Sequence, residues 1–299
     1  MRAGSQERGR QLRIAVGIVT TGRAAVLREA VAELGRQVRA PERVVVCGAS
    51  AGDLDGLEAG RAELITAPLG TSRQRNAVLA AIGDCDLVVF LDDDFLAAPG
   101  FLAAMEAAFL ADPLLVAATG HVVADGIKGP GLGMAEGRAL LAADGGAAPG
   151  EPPVAVYNAY GCNMVLRLAP MRAHGLAFDP DLPLYGWYED IDLCRRLARH
   201  GRILRIPAAR GVHLGVKSGR TSGLRLGYSQ IANPVYLARK GSYDWRRALW
   251  SMVRNLGANL LHAPRPEPFI DRRGRLRGNL LALGDLLRGR CDPRRILAM

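Results

Sequence analysis

Three consecutive acids, Asp92, Asp93 and Asp94, follow directly after an apolar run that ends at Leu91. Such a run predicts a strand buried on both faces. Because residues two apart on a strand point the same way, Asp92 and Asp94 should project together from its carboxyl end, where open α/β sheets bind ligands. Two converging carboxylates repel each other unless a cation lies between them, and oxygen ligands suit Mg²⁺ or Mn²⁺. The triplet therefore predicts a divalent-metal site on substrate phosphates, with an acidic helix cap as the alternative.

A second acidic group, Glu189, Asp190 and Asp192, begins a predicted helix over 187–200. On that helix Asp190 falls on the apolar face, whereas Asp192 points away and can pair with Arg196 four residues later. An acid directed inward from the first helical turn is either a cap, which the helix dipole favours, or a general base.

Basic residues and one histidine are further candidates for contacts with an anionic substrate. Arg73, Arg75 and Asn76 lie at a predicted helix start after a glycine turn, where a phosphate or a base can bind. His213 precedes a Gly-, Ser- and Arg-rich segment over 211–227, which predicts a mobile lid. A single histidine is more often structural than a ligand, so the residues alone leave its role open.

The elements that must position these side chains alternate between strands and helices. Such alternation indicates βαβ units and an α/β fold with a mostly parallel sheet. We interpret 125–155, rich in Gly, Ala and Pro, as a long loop or insertion, and helical patterns dominate beyond Tyr228. The predicted strands cover 12–19, 43–47, 62–66, 86–91, 163–168 and 202–206, and the predicted helices between the first of them cover 24–38 and 72–82.

The composition is that of an ordinary globular protein and excludes a disordered one. The chain has 299 residues, of which 49% are hydrophobic and 23% charged. No apolar run approaches the roughly 20 residues that span a membrane, and no secretory signal is visible. Five scattered cysteines without a Cys-x-x-Cys pair indicate reduced thiols. We therefore expect a cytoplasmic protein.

The net charge of +10 is concentrated near the C-terminus. Residues 237–299 hold 14 Lys and Arg against 5 Asp and Glu, whereas the first 236 hold 25 against 24. We divide the chain accordingly into a catalytic domain over 11–236 and a basic helical extension over 237–299. A basic segment of this kind attracts nucleic acid, anionic lipid or another polyanion.

Within the extension, residues 245–262 predict an amphipathic helix. An apolar face with arginines beside it is typical of a helix in a membrane interface. Packing of that face against the catalytic domain is the alternative. The predicted face comprises Trp245, Leu249, Met252, Val253, Leu256 and Leu260, with Arg246, Arg247 and Arg254 largely off it.

Taken in chain order, these pieces resemble the family 2 glycosyltransferases of the GT-A fold. The similarity covers about residues 12–236. It implies a Rossmann-like α/β fold with a mostly parallel sheet flanked by helices, followed by the helical basic C-terminal segment. The matching pieces are the strand and turn over 16–23, the segment 70–76, the Asp-x-Asp strand end, the segment 161–164, the Glu-Asp-x-Asp helix, and the stretch from Pro207 to His213.

The resemblance also implies a role for each candidate residue. Asp92 and Asp94 would hold Mg²⁺ or Mn²⁺ on the diphosphate of a nucleotide-sugar donor, and His213 looks like a further metal ligand. Asp190 would deprotonate the acceptor, with Glu189 as its neighbour. The implied donor-binding residues are Thr20, Thr21, Arg23, Asp53, Arg73, Asn76, Asp92 and Asp93; the implied acceptor-binding residues are Gly161, Asn163 and Trp187; and Lys217 and Arg220 would add charge to the leaving group.

The chain departs from the family pattern in places. The turn over 20–23 stands where members often carry Pro-x-Tyr-Asn, and the segment 47–50, with Asp53 beyond it, replaces an acidic pair. The Gln-x-x-Arg-Trp motif of processive synthases is missing from the sequence, which favours a single addition. One base without an evident nucleophile implies inversion at the anomeric carbon.

Two other functions remain as alternatives. A sugar-phosphate nucleotidyltransferase would carry a Gly-rich basic loop after its first strand, and the turn over 20–23 is a poor version of one. A non-catalytic adaptor could bind a polyanion through the basic extension. Dinucleotide-binding and P-loop motifs are missing from the sequence. The predicted partners are a nucleotide-sugar donor, a glycan or lipid-linked acceptor, and an anionic surface at the inner face of the cell membrane, with no nucleic acid.

Overall fold

The computed structural model describes residues 11–58, 60–148, 150–218 and 222–299. Its strands are β1 (Ile14–Thr20), β2 (Arg43–Gly48), β3 (Glu63–Thr66), β4 (Leu87–Asp92), β5 (Phe95–Ala97), β6 (Leu115–Asp125), β7 (Val154–Ala155), β8 (Asn163–Arg167) and β9 (Arg202–His213). Its α-helices are α1 (Ala24–Leu34), α2 (Thr71–Ala81), α3 (Phe101–Ala111), α4 (Met134–Ala143), α5 (Leu168–Ala173), α6 (Glu189–Leu197), α7 (Gly223–Lys240), α8 (Trp245–His262) and α9 (Arg272–Leu287). Short 3₁₀ helices cover Ala51–Leu54, Gly126–Lys128 and Pro293–Ala298.

The strands of the described residues form one sheet in the order β3-β2-β1-β4-β8-β6-β9-β5, with β7 paired to β9. Strands β1, β2, β3, β4, β6 and β9 run in one direction, and β5, β7 and β8 run against them. The predicted α/β fold with a mostly parallel sheet is therefore confirmed. The carboxyl ends of the six co-directional strands meet at one edge of the sheet.

The central strand β1 shows why the sheet is covered on both faces. Its residues alternate between two apolar clusters, with Val16 on one face among the side chains of α1 and α3. Ala15 lies on the other face among side chains of α2 and α6. Both are fully buried, as the continuous apolar run predicted. Gly17 has no room for a side chain, since a Cβ there would lie 2.6 Å from Cγ1 of Val78.

The predicted long loop over 125–155 is wrong in part. Strand β6 continues to Asp125, and helix α4 and strand β7 follow. Helix α4 packs closely at Gly137, where a Cβ would lie 2.6 Å from Leu214. Met134 and Leu141 of the same helix pack against the apolar cluster that contains Leu214, but so short a helix in a segment rich in Gly and Ala gives a weak periodic signal.

Strand β9 is longer than the sequence predicts and includes the first residues of the predicted lid. It runs through Pro207 to His213 beside β6, and the register jumps from Gly120↔Ile206 to His121↔Arg210. This irregularity accommodates a proline, which has no N–H for the ladder. Since β9 ends at His213 and α7 begins at Gly223, both ends of the predicted lid over 211–227 are regular structure, and 214–218 lie in the connection between them; residues 219–221 lie outside the described part.

Helices α7, α8 and α9 pack together beyond the sheet. Helix α7 crosses the predicted domain boundary at residue 236, so the helical part begins earlier than the change in charge. Gly227 and Gly278 let α7 and α9 approach closely, because a Cβ on either would overlap backbone of the other helix. The predicted helix over 245–262 is confirmed as α8.

Among the described residues, no helix is both long enough and apolar enough to cross a membrane.

Candidate active site

The carboxyl ends of β4 and β9 bring Asp92, Asp94 and His213 together. One potential ligand atom from each of the three side chains lies within 4.8 Å of the others. Nε2 of His213 lies 3.4 Å from Oδ1 of Asp94 and 3.9 Å from Oδ2 of Asp92. The short strand β5 produces this proximity, because it turns back after the acids and pairs Phe95 with His213. The sequence singled out all three residues, and the structure places them in one cluster.

The orientation of His213 is set by Asp125 at the end of β6. Nδ1 of the ring lies 2.8 Å from Oδ1 of Asp125, so Nε2 faces the two other aspartates. Tyr160 donates to the second oxygen of Asp125 over 3.2 Å. Burial alone would lower the pKa of His213, but the carboxylates of Asp125 and Asp94 raise it to about 10. The sequence analysis missed Asp125, which lies in the segment interpreted as a loop.

The cluster fits a divalent cation by its donor set. Oδ1 of Asp94 is buried and forms no well-directed hydrogen bond within the described part of the chain; its contact is Nε2 of His213 at 3.4 Å, although a buried carboxylate oxygen normally has a hydrogen-bond donor. Its other oxygen accepts from the backbone N–H of Val216 over 2.7 Å. Two carboxylates and an imidazole suit Mn²⁺ and related divalent ions, and the His213–Asp125 pair is the usual outer support of such a ligand.

Asp93 points away from this cluster and ties the first turn to the site. It accepts a 2.6 Å hydrogen bond from Oγ1 of Thr20 and a 2.8 Å ion pair from Nη1 of Arg23. Burial raises its pKa to about 6. Nε of Arg23 also donates to the carbonyl oxygen of Ser218 over 2.8 Å. The hydroxyl of Thr21 donates to the carbonyl oxygen of Thr20. The predicted donor residues of this turn therefore lie at the site edge, but Asp93 itself is occupied by protein donors.

Asp53 supports the same turn from the neighbouring strand. Its carboxylate accepts from the backbone N–H groups of Gly22 over 2.6 Å and Ser50 over 2.8 Å. Burial would raise the pKa of Asp53, but these hydrogen bonds lower it. Because both oxygens are engaged, the structure makes Asp53 a brace between the loops after β1 and β2, beside the site rather than open to it.

Arg75 joins the two acidic groups of the site. Its guanidinium contacts Oε1 of Glu189 at 2.6 Å, Oδ1 of Asp92 at 3.3 Å and the carbonyl oxygen of Gly161 at 2.8 Å. The sequence analysis gave Arg75 only as a weak candidate for an anion contact and named Arg73 and Asn76 as donor-binding residues. In the structure, Arg75 is the arginine of the site, because of these two arginines only Arg75 lies on the buried side of α2.

The two alternatives on α2 lie away from the site. Arg73 is exposed, and Asn76 bonds both backbone groups of Phe178, as donor at 2.8 Å and as acceptor at 2.9 Å. Asn76 therefore anchors the segment that leads to α6. The missed signal was spacing: Arg75 lies three residues before the apolar Val78, which is buried on the same side of α2.

Helix α6 presents Glu189 and Asp190 in different ways. Glu189 is buried against Arg75, and its Oε2 has no hydrogen-bond partner among the described residues. Asp190 is half-buried and accepts from the N–H of Gly161 and from Nδ2 of Asn158, each over 3.2 Å. Burial raises the pKa of both acids. The other oxygen of Asp190 accepts from the backbone N–H of Ile191 over 2.8 Å, so both of its oxygens are fixed, and Asp190 is less buried than Glu189.

Asp192 differs from the sequence interpretation. It does pair with Arg196, with Oδ2 2.6 Å from Nη2, but it is fully buried rather than directed away from the protein. Ser242 donates to it over 2.5 Å and Lys240 over 2.9 Å. The packing of α7 against α6, which no local pattern reveals, encloses this carboxylate.

The three acceptor candidates are placed unequally. Gly161 bridges Arg75 and Asp190 through its backbone. Asn163 is fully buried, and its side-chain oxygen is bonded to Thr119 and Gly120, so it joins β8 to β6 and has no surface for a ligand. Trp187 lies in an aromatic group, with ring centroids 6.1 Å from Tyr185 and 5.0 Å from Tyr188.

Of the predicted lid cations, Lys217 donates to the carbonyl oxygens of Gly126 over 2.9 Å and Ile127 over 3.0 Å. Arg220 lies outside the described residues. The ammonium of Lys217, which was predicted to contact the leaving group, therefore joins the loop after β9 to the residues that follow β6.

Comparison with solved structures supports the fold. The chain is similar to mannosyltransferase PcManGT from Pyrobaculum calidifontis, solved with GDP-Man and Mn²⁺, with a TM-score of 0.54 and 16% identity over 93% of this chain and 81% of that one. It is similar to S. aureus TarS 1-349 in complex with UDP-GlcNAc, with a TM-score of 0.57 and 13% identity over 96% and 83%. It also matches GalNAc-T7 with UDP, GalNAc and Mn²⁺, with a TM-score of 0.50 and 14% identity over 75% and 51%.

These likenesses confirm the GT-A fold that the sequence resemblance implied. No protein-family model and no curated protein sequence matches the chain.

Proposed function

We propose that the protein is a metal-dependent glycosyltransferase that moves one sugar from a nucleotide-sugar donor to a hydroxyl of a glycan or lipid-linked acceptor, with inversion. The observation that carries the proposal is the convergence of Asp92, Asp94 and His213 at the same sheet edge as Asp190, on a GT-A fold. The sugar nucleotides and Mn²⁺ named for the similar structures belong to the chemical class that such a site would bind.

A divalent cation bound at this cluster would neutralise the diphosphate that leaves the donor. The protein prepares its ligands through fixed contacts. Asp125 holds the ring of His213, and the N–H of Val216 holds Asp94. Arg23 lies 3.6 Å from Oδ2 of Asp94 and balances part of its charge. Preorganised ligands of this kind need no rearrangement when the donor arrives.

Asp190 is the general base in this proposal. It takes the proton of the acceptor hydroxyl while that oxygen bonds to the anomeric carbon and the carbon–oxygen bond to the diphosphate breaks. Gly161 and Asn158 fix the Asp190 carboxylate, and burial raises its pKa toward the range useful for proton transfer. Glu189 is less suitable because Arg75 binds it inside the protein. A single displacement without a covalent intermediate inverts the anomeric centre.

The test is donor binding and turnover across UDP-, GDP- and dTDP-sugars, with Mn²⁺, with Mg²⁺ and with a chelator. We expect calorimetry to show binding of at least one nucleotide sugar that needs the metal. Asp94→Asn should weaken this binding by more than the roughly 10- to 100-fold that loss of an outer support costs. Asp84→Asn is the matched control, since Asp84 is an exposed acid before β4, at the other end of the strand.

Two readouts separate this function from its alternatives. Release of a nucleoside diphosphate supports glycosyl transfer, whereas release of pyrophosphate from a nucleoside triphosphate would assign a nucleotidyltransferase. Metal-independent binding, or wild-type binding by Asp94→Asn, would sink the proposed site. The anomeric configuration of the product, read by proton NMR, decides between inversion and retention.

A further inference from the structure

Helix α8 leaves most of its large apolar side chains outside the protein. The side that packs against the rest of the protein is mixed, because Ser251 and Asn259 are buried there together with Ala248 and Met252. Asn259 donates to Oε1 of Gln230 over 2.9 Å and to Oδ1 of Asn279 over 2.8 Å. The apolar stripe of the helix faces solvent instead. Its exposed members are Trp245 at 54%, Leu249 at 59%, Val253 at 55% and Leu260 at 61%.

This arrangement decides between the two interpretations of the sequence. Packing of the apolar face against the catalytic domain would bury the stripe, and only Met252 of the predicted face is buried. Trp250 at 68% and Leu261 at 76% add to the exposed apolar surface. Large contiguous exposed apolar surfaces of soluble proteins mark sites of interaction, so this side of α8 must have a partner.

Arginines surround the exposed stripe. Arg246, Arg247 and Arg254 are exposed on α8, at helical angles next to Trp250 and Leu261. Helix α9 also exposes both leucines and arginines on one side. The leucines are Leu280, Leu281 and Leu287, and the arginines are Arg273, Arg277 and Arg288.

The charge selects the partner. A second copy of the chain would cover the apolar residues, but it would bring two extensions, each with 14 basic against 5 acidic residues, into contact. A polyanion such as nucleic acid would pair with the arginines and leave tryptophan and leucine in water. The surface of an anionic bilayer accepts both, because phosphate groups contact the arginines while the apolar side chains enter the acyl boundary.

We propose that the exposed faces of α8 and α9 dock the protein reversibly on an anionic membrane surface. Helix α8 is joined to the start of α6, the helix that carries Asp190, because Ser251 is hydrogen-bonded to Tyr188. If the proposed function is right, the acceptor is a lipid-linked hydroxyl; the docking itself does not depend on that function.

The test is co-sedimentation of the full-length protein with vesicles of phosphatidylcholine alone and with 30% phosphatidylglycerol. We expect binding to the anionic vesicles that weakens with salt, and little binding to the neutral ones. Arg246→Gln with Arg254→Gln should weaken binding by roughly fivefold for each arginine removed. Leu249→Gln with Val253→Gln should also weaken it. Leu110→Gln with Leu114→Gln, at two exposed leucines of the α/β part, is the matched control.

A spectroscopic arm locates the contact. The chain has three tryptophans, so Trp187→Phe leaves Trp245 and Trp250 as reporters on α8. We expect their emission to shift to the blue on anionic vesicles and to be quenched by brominated acyl chains. Circular dichroism of every variant shows that the fold is kept.

Three results would overturn the docking surface. They are no binding to anionic vesicles at low salt, equal binding by folded α8 variants, and unchanged tryptophan emission in the bound protein. A concentration-dependent dimer that Leu249→Gln with Val253→Gln dissolves would assign the face to a second copy. These outcomes are independent of nucleotide-sugar binding, so failure of docking and failure of the proposed function are distinguishable.

Discussion

The carboxyl edge of the sheet and the helical extension distribute polar groups in opposite ways. At the sheet edge, apolar side chains form the interior and acids gather where strands end, as with Asp92 and Asp94 beyond β4. In the extension, amides such as Asn259 and Asn279 lie inside, and leucine and tryptophan lie outside. The sheet edge is therefore built to hold charge away from bulk water, and the extension is built to present apolar surface.

The difference also concerns how buried polar groups are satisfied. At the sheet edge, carboxylates are balanced by arginines, as with Arg75 between Glu189 and Asp92. In the extension, neutral amides bond one another around Asn259, whose Oδ1 also accepts from Nη1 of Arg272 over 3.3 Å. Charged pairs that lack one partner are costly, whereas neutral amides lose less. The two regions should thus respond unequally to substitutions that remove one partner.

The largest expected effect is on chemistry at the sheet edge. Asp190→Asn removes the proposed base while keeping an oxygen for the N–H of Gly161, so donor binding should persist. Transfer should fall roughly 10²- to 10⁴-fold, the usual contribution of a general base. Single-turnover assays together with donor calorimetry check this. Wild-type transfer by Asp190→Asn would move the base elsewhere, with Glu189 tested next.

The next effect concerns the buried ion pair. Arg75→Met leaves the Glu189 carboxylate buried without its cation, which should reduce the free energy of unfolding by about 3–5 kcal/mol. Adding Glu189→Gln to Arg75→Met should recover part of this loss, because the unpaired charge is then gone. Urea denaturation of the two single variants and the double variant measures the coupling. Additive losses would show that the pair does not stabilise the site as a unit.

Within the extension, inside and outside should respond differently. Asn259→Leu removes the donor to Oδ1 of Asn279 and one of the two donors to Oε1 of Gln230, which should cost about 1–3 kcal/mol of unfolding free energy. Leu260→Gln, at the next residue but exposed, should change stability by no more than about 0.5 kcal/mol. Thermal and urea unfolding of both variants check the contrast. A larger loss from Leu260→Gln would mean that its side chain is covered in solution.

The smallest effect is pH-dependent. Hydrogen bonds from Gly22 and Ser50 lower the pKa of Asp53, so ionised Asp53 stabilises the folded state above the ordinary pKa near 4. This contribution is lost as pH falls through the lower, folded-state pKa. Asp53→Asn should therefore cost about 1–2 kcal/mol at pH 7, and the difference from wild type should shrink between pH 5 and pH 3. A pH-independent difference would contradict the assignment.

Much of the α/β part could be predicted because its signals are local. A strand that is buried on both faces must be apolar at every position, so β1, β2 and β4 were visible in the sequence. Asp92 and Asp94 were found because they follow the last of these strands, but β4 ends at Asp92 and it is the turn before β5 that places Asp94 beside it. Helix α4 was missed because it is short and lies in a segment rich in Gly, Ala and Pro, so its few apolar residues give a weak periodic signal.

Only the tertiary structure reveals the contacts between segments that are distant in the sequence. Arg75 and Glu189 are 114 positions apart, and the choice of Arg75 over Arg73 depends on which side of α2 meets the sheet. Asp125 reaches His213 because β6 and β9 lie side by side.

The sequence by itself determined that α8 has an apolar side and an arginine-rich side, since helical geometry follows from the spacing of residues. It could not determine which part of the helix faces the protein, because that depends on the partners that α7 and α9 offer. Gln230 and Asn279 bind Asn259, so the strip that contains Asn259 faces inward, and both the apolar stripe and the arginines face outward. The exposure of the apolar face of α8 is therefore a consequence of tertiary packing. This exposure is the reason to propose that α8 binds another surface.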